Sequence, residues 1–278
     1  MNCRNFAFAG PRTGISTSMA PIGGNGSTES VNQSESLQDG TPIFRNGLLA
    51  SLSPEARKRI SSSLRVVELS TKEVLYRPNE SVNKIYFPES SVIVMLTVMS
   101  DGATIESATV GREGASWVSA SFKSPSMPCQ TMVAIPGRAY VLPSRMIEEE
   151  LERNERFHDQ VSNYSHALLV HSLRCVACNG LHSIEQRCTR WMLMTLDRTD
   201  SGQFSITHDF LAELLGVRRS SVSQATEKLV GSGVIENARG SITVIDRKAL
   251  ERITCECYFI SREYFRKLEI AIPADDGA

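Results

Sequence analysis

Between residues 64 and 142 the chain is a series of short apolar runs divided by turn residues. The runs are Leu64–Leu69, Lys84–Phe87, Val92–Val98, Ile105–Val110, Met132–Ile135 and Ala139–Leu142. Pro78-Asn79, Pro88-Glu89, Asp101-Gly102, Gly111 and Pro136-Gly137 separate them. Runs of this kind predict the strands of a small antiparallel barrel or sandwich. Just upstream, Ser53 and Pro54 read as the cap and first residue of a short helix reaching Ser61.

After Pro143 the period changes. Ser144 reads as the N-cap of a helix that opens Arg145-Met146-Ile147-Glu148 and persists to about Cys178. Along it Phe157, Val161, Tyr164, Leu168, His171, Cys175 and Cys178 alternate spacings of four and three, an a/d seam. A second stripe, Leu169, Leu173 and Val176, lies on a neighbouring face. One helix with two apolar faces needs two partners. The expected arrangement sets the seam from Phe157 to Cys178 against a second copy of the chain and the other face on the barrel. Asn179-Gly180 marks the stop, and Ser183-Ile184-Glu185-Gln186 reads as a capping box. The helix it opens carries Trp191, Leu193 and Leu196 and ends near Asp200-Ser201-Gly202.

The segment from His208 to Lys228 has the pattern of a helix-turn-helix. Thr207 is a good cap; Leu211, Leu215, Val217, Val222 and Ala225 make a buried seam, with the small Ala212 where the helices cross. Gly216 supplies a turn residue for which positive φ is cheap. The outward face of the second helix is Arg218, Arg219, Ser220, Ser221 and Gln224. These side chains suit guanine and adenine edges and phosphate oxygens. After Gly231-Ser232-Gly233, residues 234–245 read as strand, tight turn and strand, a wing with Arg239 at its tip, and Asp246 caps a last helix.

Composition narrows these readings. The chain has 278 residues, 41% hydrophobic and 22% charged, with 30 basic and 31 acidic residues and a net charge of −1. Near-neutrality excludes nucleic-acid binding by bulk positive charge, so a local surface must do it. The longest apolar stretch, Val92 to Met99, is far short of the roughly 20 residues that cross a bilayer. No targeting segment is visible, and seven scattered cysteines do not form a secreted disulfide scaffold. A cytoplasmic location with reduced thiols is the expectation. Residues 1–40 hold six Gly, six Ser and four Asn, a composition with little to bury.

The order of barrel, long helix, Gly hinge and winged helix-turn-helix resembles the Crp/Fnr superfamily of bacterial transcription regulators. The residues that carry the resemblance are Lys84-Ile-Tyr-Phe-Pro88, Val110-Gly-Arg-Glu-Gly114, Leu181-His-Ser-Ile-Glu-Gln-Arg187, Phe210 to Arg219 and Cys255-Glu-Cys-Tyr258. It implies an α+β fold: a double-stranded β-helix or jelly-roll-like sensor domain at 43–143, a dimerisation helix at 144–179 and a winged helix-turn-helix at 180–268, with tails at 1–42 and 269–278. It further implies a homodimer on double-stranded DNA with a palindromic operator, a contact with RNA polymerase, and an effector that the residues do not identify. The base-reading positions fall on Arg219, Ser220 and Gln224, with Arg218 and Ser221 at phosphate positions; Ser220 replaces the acidic residue many members carry.

Members that bind cyclic nucleotides have a Gly-Glu near the start of a phosphate-binding cassette and an Arg-Ser or Arg-Thr near its end. Here Cys129-Gln130 stands at the second place. The expectation is a β-roll without cyclic-nucleotide binding, with Arg112 and Lys123 as the substitutes that would reverse it. Cys175, Cys178, His182 and Cys188 have a loose metal-ligand spacing, but Cys175 and Cys178 already fit the seam, and Cys255 and Cys257 read as packing residues. Only Cys3 lies near the N-terminus, where iron–sulfur members keep a cluster. No metal, no cofactor and no catalytic constellation is expected. His158, His166 and His208 read as surface groups.

Overall fold

The computed structural model describes residues 44–116 and 126–268 and two short strands before them, β1 (Leu37–Gln38) and β2 (Thr41–Pro42). That hairpin lies at the end of the expected N-terminal tail; the rest of that tail, Lys123 and the tail from 269 fall outside the described residues. Two short helices follow, α1 (Gly47–Ala50) and α2 (Pro54–Ser61), the second capped by Ser53 with Pro54 at its start.

The β-roll consists of two antiparallel sheets. One has the order β3-β9-β5, from β3 (Arg65–Leu69), β5 (Lys84–Pro88) and β9 (Gly137–Pro143). The other has the order β4-β8-β6-β7, from β4 (Val74–Tyr76), β6 (Val92–Val98), β7 (Thr104–Val110) and β8 (Gln130–Ile135). All six runs read from sequence are strands here. β4 was not anticipated, because three residues are too few to show a period. Val92, Ile93, Val94 and Leu96 are fully buried along β6, a strand paired on both sides.

The expected single helix from Ser144 is two: α3 (Ser144–Arg153) and α4 (Glu155–Leu181). Asn154 interrupts them in an extended conformation, where its side chain accepts from the Phe157 amide and caps α4. Ser144 is the first residue of α3 and not its side-chain cap.

The larger correction concerns the seam. Phe157, Val161, Tyr164, Leu168, His171, Cys175 and Cys178 are buried inside their own chain. They face β7 and the last described helix, α9 (Glu256–Lys267), which follows α8 (Arg247–Ile253), and are not free to meet a second copy. Aromatic and polar groups explain the choice of face. Tyr164 reaches the Ala115 carbonyl, while His171 accepts from the Thr109 amide and lies beside Ser261 and Phe265. The outward stripe is Leu169, Leu173 and Val176, 57%, 60% and 71% exposed.

Beyond α4, the Ser183 capping box opens α5 (Ile184–Leu196) as expected, and β10 (Gln203–Ser205) adds a strand not read from the sequence. One apolar cluster runs from Phe44 to Phe265, across the boundary expected near residue 180. Among the described residues no helix is long and apolar enough to cross a membrane.

Candidate nucleic-acid interface

The helix-turn-helix is built from α6 (His208–Leu215) and α7 (Arg219–Gly231). Thr207 caps α6 through the Phe210 amide. Gly216 ends it at φ 61°, the left-handed conformation that the turn was expected to need. Leu211, Ala212, Leu215, Val222 and Ala225 are buried between the helices, and Val217 is half-buried. Arg218 is the N-cap of α7, one residue before the helix proper.

This packing leaves Arg218, Arg219, Ser220 and Gln224 exposed on the first two turns of α7, with Ser221 half-exposed. No acidic residue lies in the first turn, so the partial positive charge of the helix N-terminus is not offset within α7. Arg219 Nε rests 3.4 Å from Asp209 Oδ1. Both side chains are about two-thirds exposed, and such pairs contribute little and exchange readily.

β11 (Ile235–Ala238) and β12 (Ser241–Val244) form the wing and pair with β10 in a three-stranded sheet. Arg239 is exposed at the tip with φ 51°. The structure thus sets all six sequence-derived contact residues on two neighbouring elements of one domain. It also reveals a residue the sequence reading placed on the surface. His208 is half-buried, its Nε2 2.7 Å from Asn237 Nδ2 and its Nδ1 3.0 Å from Ser223 Oγ. It ties the wing to α7. Its partners lie 15 and 29 residues away, so no local spacing announces them.

The Gly111-Arg112-Glu113-Gly114 turn holds this domain to the β-roll. Glu113 accepts from Arg198 Nε at 2.8 Å, with both side chains almost fully buried. Arg112 donates to the Arg198 carbonyl and to Asp200, which also binds Arg45. The two glycines permit the contact: a Cβ at 111 would fall 2.4 Å from Arg198, and one at 114 would fall 2.0 Å from the Tyr164 ring. Further along, Trp191 donates to the buried Glu106 at 2.8 Å, Lys72 pairs with Glu213, and Gly216 abuts Ile105.

The cysteines divide differently from their sequence spacing. Cys175 lies against His171 and Arg190, and Cys188 is buried on α5 in the main apolar cluster, where burial pushes its thiol up to about 12. Cys178 and His182 instead lie beside Cys255 and Cys257.

Comparison with known proteins places these features. Residues 186–253 match the family model of the Crp-like helix-turn-helix domain. No curated protein sequence matches the chain. Among solved structures, FixK2 from Bradyrhizobium japonicum superposes with a TM-score of 0.56 at 15% identity, over 69% of this chain and 98% of that one. A putative Crp/Fnr-family regulator from Eubacterium rectale gives 0.54 at 18%, over 74% and 96%. CLP, the c-di-GMP responsive global regulator of Xanthomonas campestris, gives 0.55 at 12%, over 70% and 100%. Residues 186–253 thus form a Crp-like helix-turn-helix domain, and the chain shares its fold along nearly the whole length of these solved structures.

Proposed function

We propose that two copies of the chain bind an inverted-repeat operator in the cytoplasm and act on RNA polymerase in response to an effector other than a cyclic nucleotide. The observation that carries the reading is the exposed row Arg218, Arg219, Ser220 and Gln224 on α7 beside Arg239 of the wing. In this reading Arg219 and Gln224 meet base edges, and Ser220 reads beside them. Arg218, Ser221 and Arg239 meet the phosphate backbone. The exposed Leu169, Leu173 and Val176 stripe supports pairing of two α4 helices. A paired helix-turn-helix reads half-sites about 34 Å apart, which favours an inverted repeat.

Against a cyclic nucleotide stand Cys129-Gln130, which brings no guanidinium, and Arg112, whose guanidinium is committed to Arg198 and Asp200. A buried phosphate without a positive partner is costly.

The test is binding to a randomised half-site library at two salt concentrations. Arg219→Ala is expected to cost about 1–3 kcal/mol on preferred sites and to relax one base pair per half-site. Arg239→Ala is expected to weaken all sequences alike and to lower the salt slope by about one unit per subunit. Should Arg219→Ala leave the selected sequence intact while Arg239→Ala changes it, the reading face is assigned to the wrong element.

A further inference from the structure

Four side chains converge where α4 ends and α9 begins. Cys178 lies in the last full turn of α4 and His182 caps that helix. Cys255 is the N-cap residue of α9 and Cys257 lies in its first turn. Three of them, Cys178, Cys255 and Cys257, are at most 2% exposed and form a cluster of their own, apart from the main core. Cys178 Sγ is 3.6 Å from Cys255 Sγ, Cys257 Sγ is 3.7 Å from His182 Nδ1, and all four donor atoms lie within 4.8 Å of one another.

Packing alone accounts poorly for this arrangement. A sulfur separation of 3.6 Å is well beyond the roughly 2.05 Å of a disulfide. Three adjoining thiols with an imidazole nitrogen turned toward them serve no apolar contact that alanine or valine would not serve. A tetrahedral ion with metal–sulfur bonds near 2.3 Å and a metal–nitrogen bond near 2.0 Å has ligand–ligand edges of roughly 3.5–3.8 Å. The two closest pairs already match those edges. The space between the donors suits one ion, not a multi-iron cluster.

The surroundings agree. His182 Nε2 lies 3.3 Å from Glu256 Oε2, so the ring turns its other nitrogen to the cysteines, the carboxylate–histidine arrangement common behind metal ligands. Three thiolates and a divalent ion leave one negative charge. The guanidinium groups of Arg187 and Arg190 are buried close enough to act electrostatically on Cys178. The other triad of potential ligands, Glu106, His171 and Cys175, lacks this freedom: Glu106 accepts from Trp191 and Thr109, and His171 accepts from the Thr109 amide.

We propose that Cys178, His182, Cys255 and Cys257 form a closed Cys3His site for a zinc ion. With all four positions filled by the protein it is a structural site, joining the end of α4 to the start of α9. The ion cross-links the helix that leaves the β-roll to the last helix of the DNA-binding domain.

The experiment uses the full chain, purified under reducing conditions. Elemental analysis is expected to find one zinc per chain. After chelation, added Co²⁺ is expected to give a saturable tetrahedral spectrum with intense visible bands and thiolate charge transfer. Cys255→Ser and Cys257→Ser should lose both signals, while Cys188→Ser and Cys175→Ser keep them. His182→Cys is the decisive variant if the serine variants misfold, since a four-thiolate site should retain the metal and shift the cobalt spectrum. Zinc-free protein whose cobalt spectrum is octahedral overturns the proposal. So does equal loss of metal in Cys188→Ser, metal loss in His182→Cys, or iron with a cluster absorbance in place of zinc.

Discussion

Buried midway along α4, the His171 ring has Nε2 taken by the Thr109 amide and Nδ1 facing Ser261 Oγ. Burial, reinforced by Arg190 and Arg198, holds its pKa well below the ordinary 6.5. The unfolded chain takes up a proton near pH 6.5 that the folded chain refuses. This contribution to stability is therefore present above that pH and is lost as pH falls below it, with a slope approaching 1.4 kcal/mol per unit. His171→Gln keeps polar partners without the titration. The stability advantage of the natural chain over this variant, read by urea unfolding, is expected to shrink between about pH 7.5 and about pH 5. A constant difference would mean that His171 is not the proton-linked group. Single residues were legible in proportion to how local their partners are. Thr207, Ser183 and Asp246 cap as their sequence predicts, because each reaches an amide three residues on. His208 and the Cys178–Cys255 contact were hidden, because nothing in a linear spacing reports a partner dozens of residues away.

Periodicity read two apolar stripes along α4 and turned the wrong one away from the chain's own core. A signal for which stripe turns inward was present in side-chain chemistry. Tyr164 and His171 carry polar atoms that need hydrogen-bond partners, which β7, the Ala115 carbonyl and α9 supply. Leu169, Leu173 and Val176 need none and suit a helix-to-helix seam. Two substitutions separate the faces. Leu173→Glu is expected to leave the fold intact and to dissociate the proposed dimer. Each buried leucine contributes about 1.5–3 kcal/mol, and two are lost per dimer, at least roughly a hundredfold in affinity. Leu168→Glu is expected to abolish the folded chain, because it buries an unpaired charge. Sedimentation and far-ultraviolet circular dichroism distinguish these outcomes. A Leu173→Glu protein that sediments as a tight dimer would place the contact elsewhere.

At the scale of the whole molecule, the β-roll and the winged helix-turn-helix domain share one core, and the Gly111–Gly114 turn grips the second with Arg112 and Glu113. The motif was visible in the sequence. Its tertiary use was not, since Arg198 enters from α5's far end. Calorimetry with cyclic AMP or cyclic GMP is expected to give no heat of binding in the micromolar range, and saturable binding of either would return Arg112 to a ligand role. The described connection between the halves is short: α4 runs to Leu181, and only His182 and Ser183 precede α5. α9 then returns from the wing to lie along α4, with Phe265 against Tyr164 and His171. This return makes the protein poorly modular for engineering. A chimera that grafts a foreign reading head at residue 183 also sets a foreign last helix against Tyr164, His171 and Cys178. Altering the proposed operator choice while keeping the β-roll therefore means transplanting α6, α7 and the wing as an internal cassette and retaining the native α4–α9 pair.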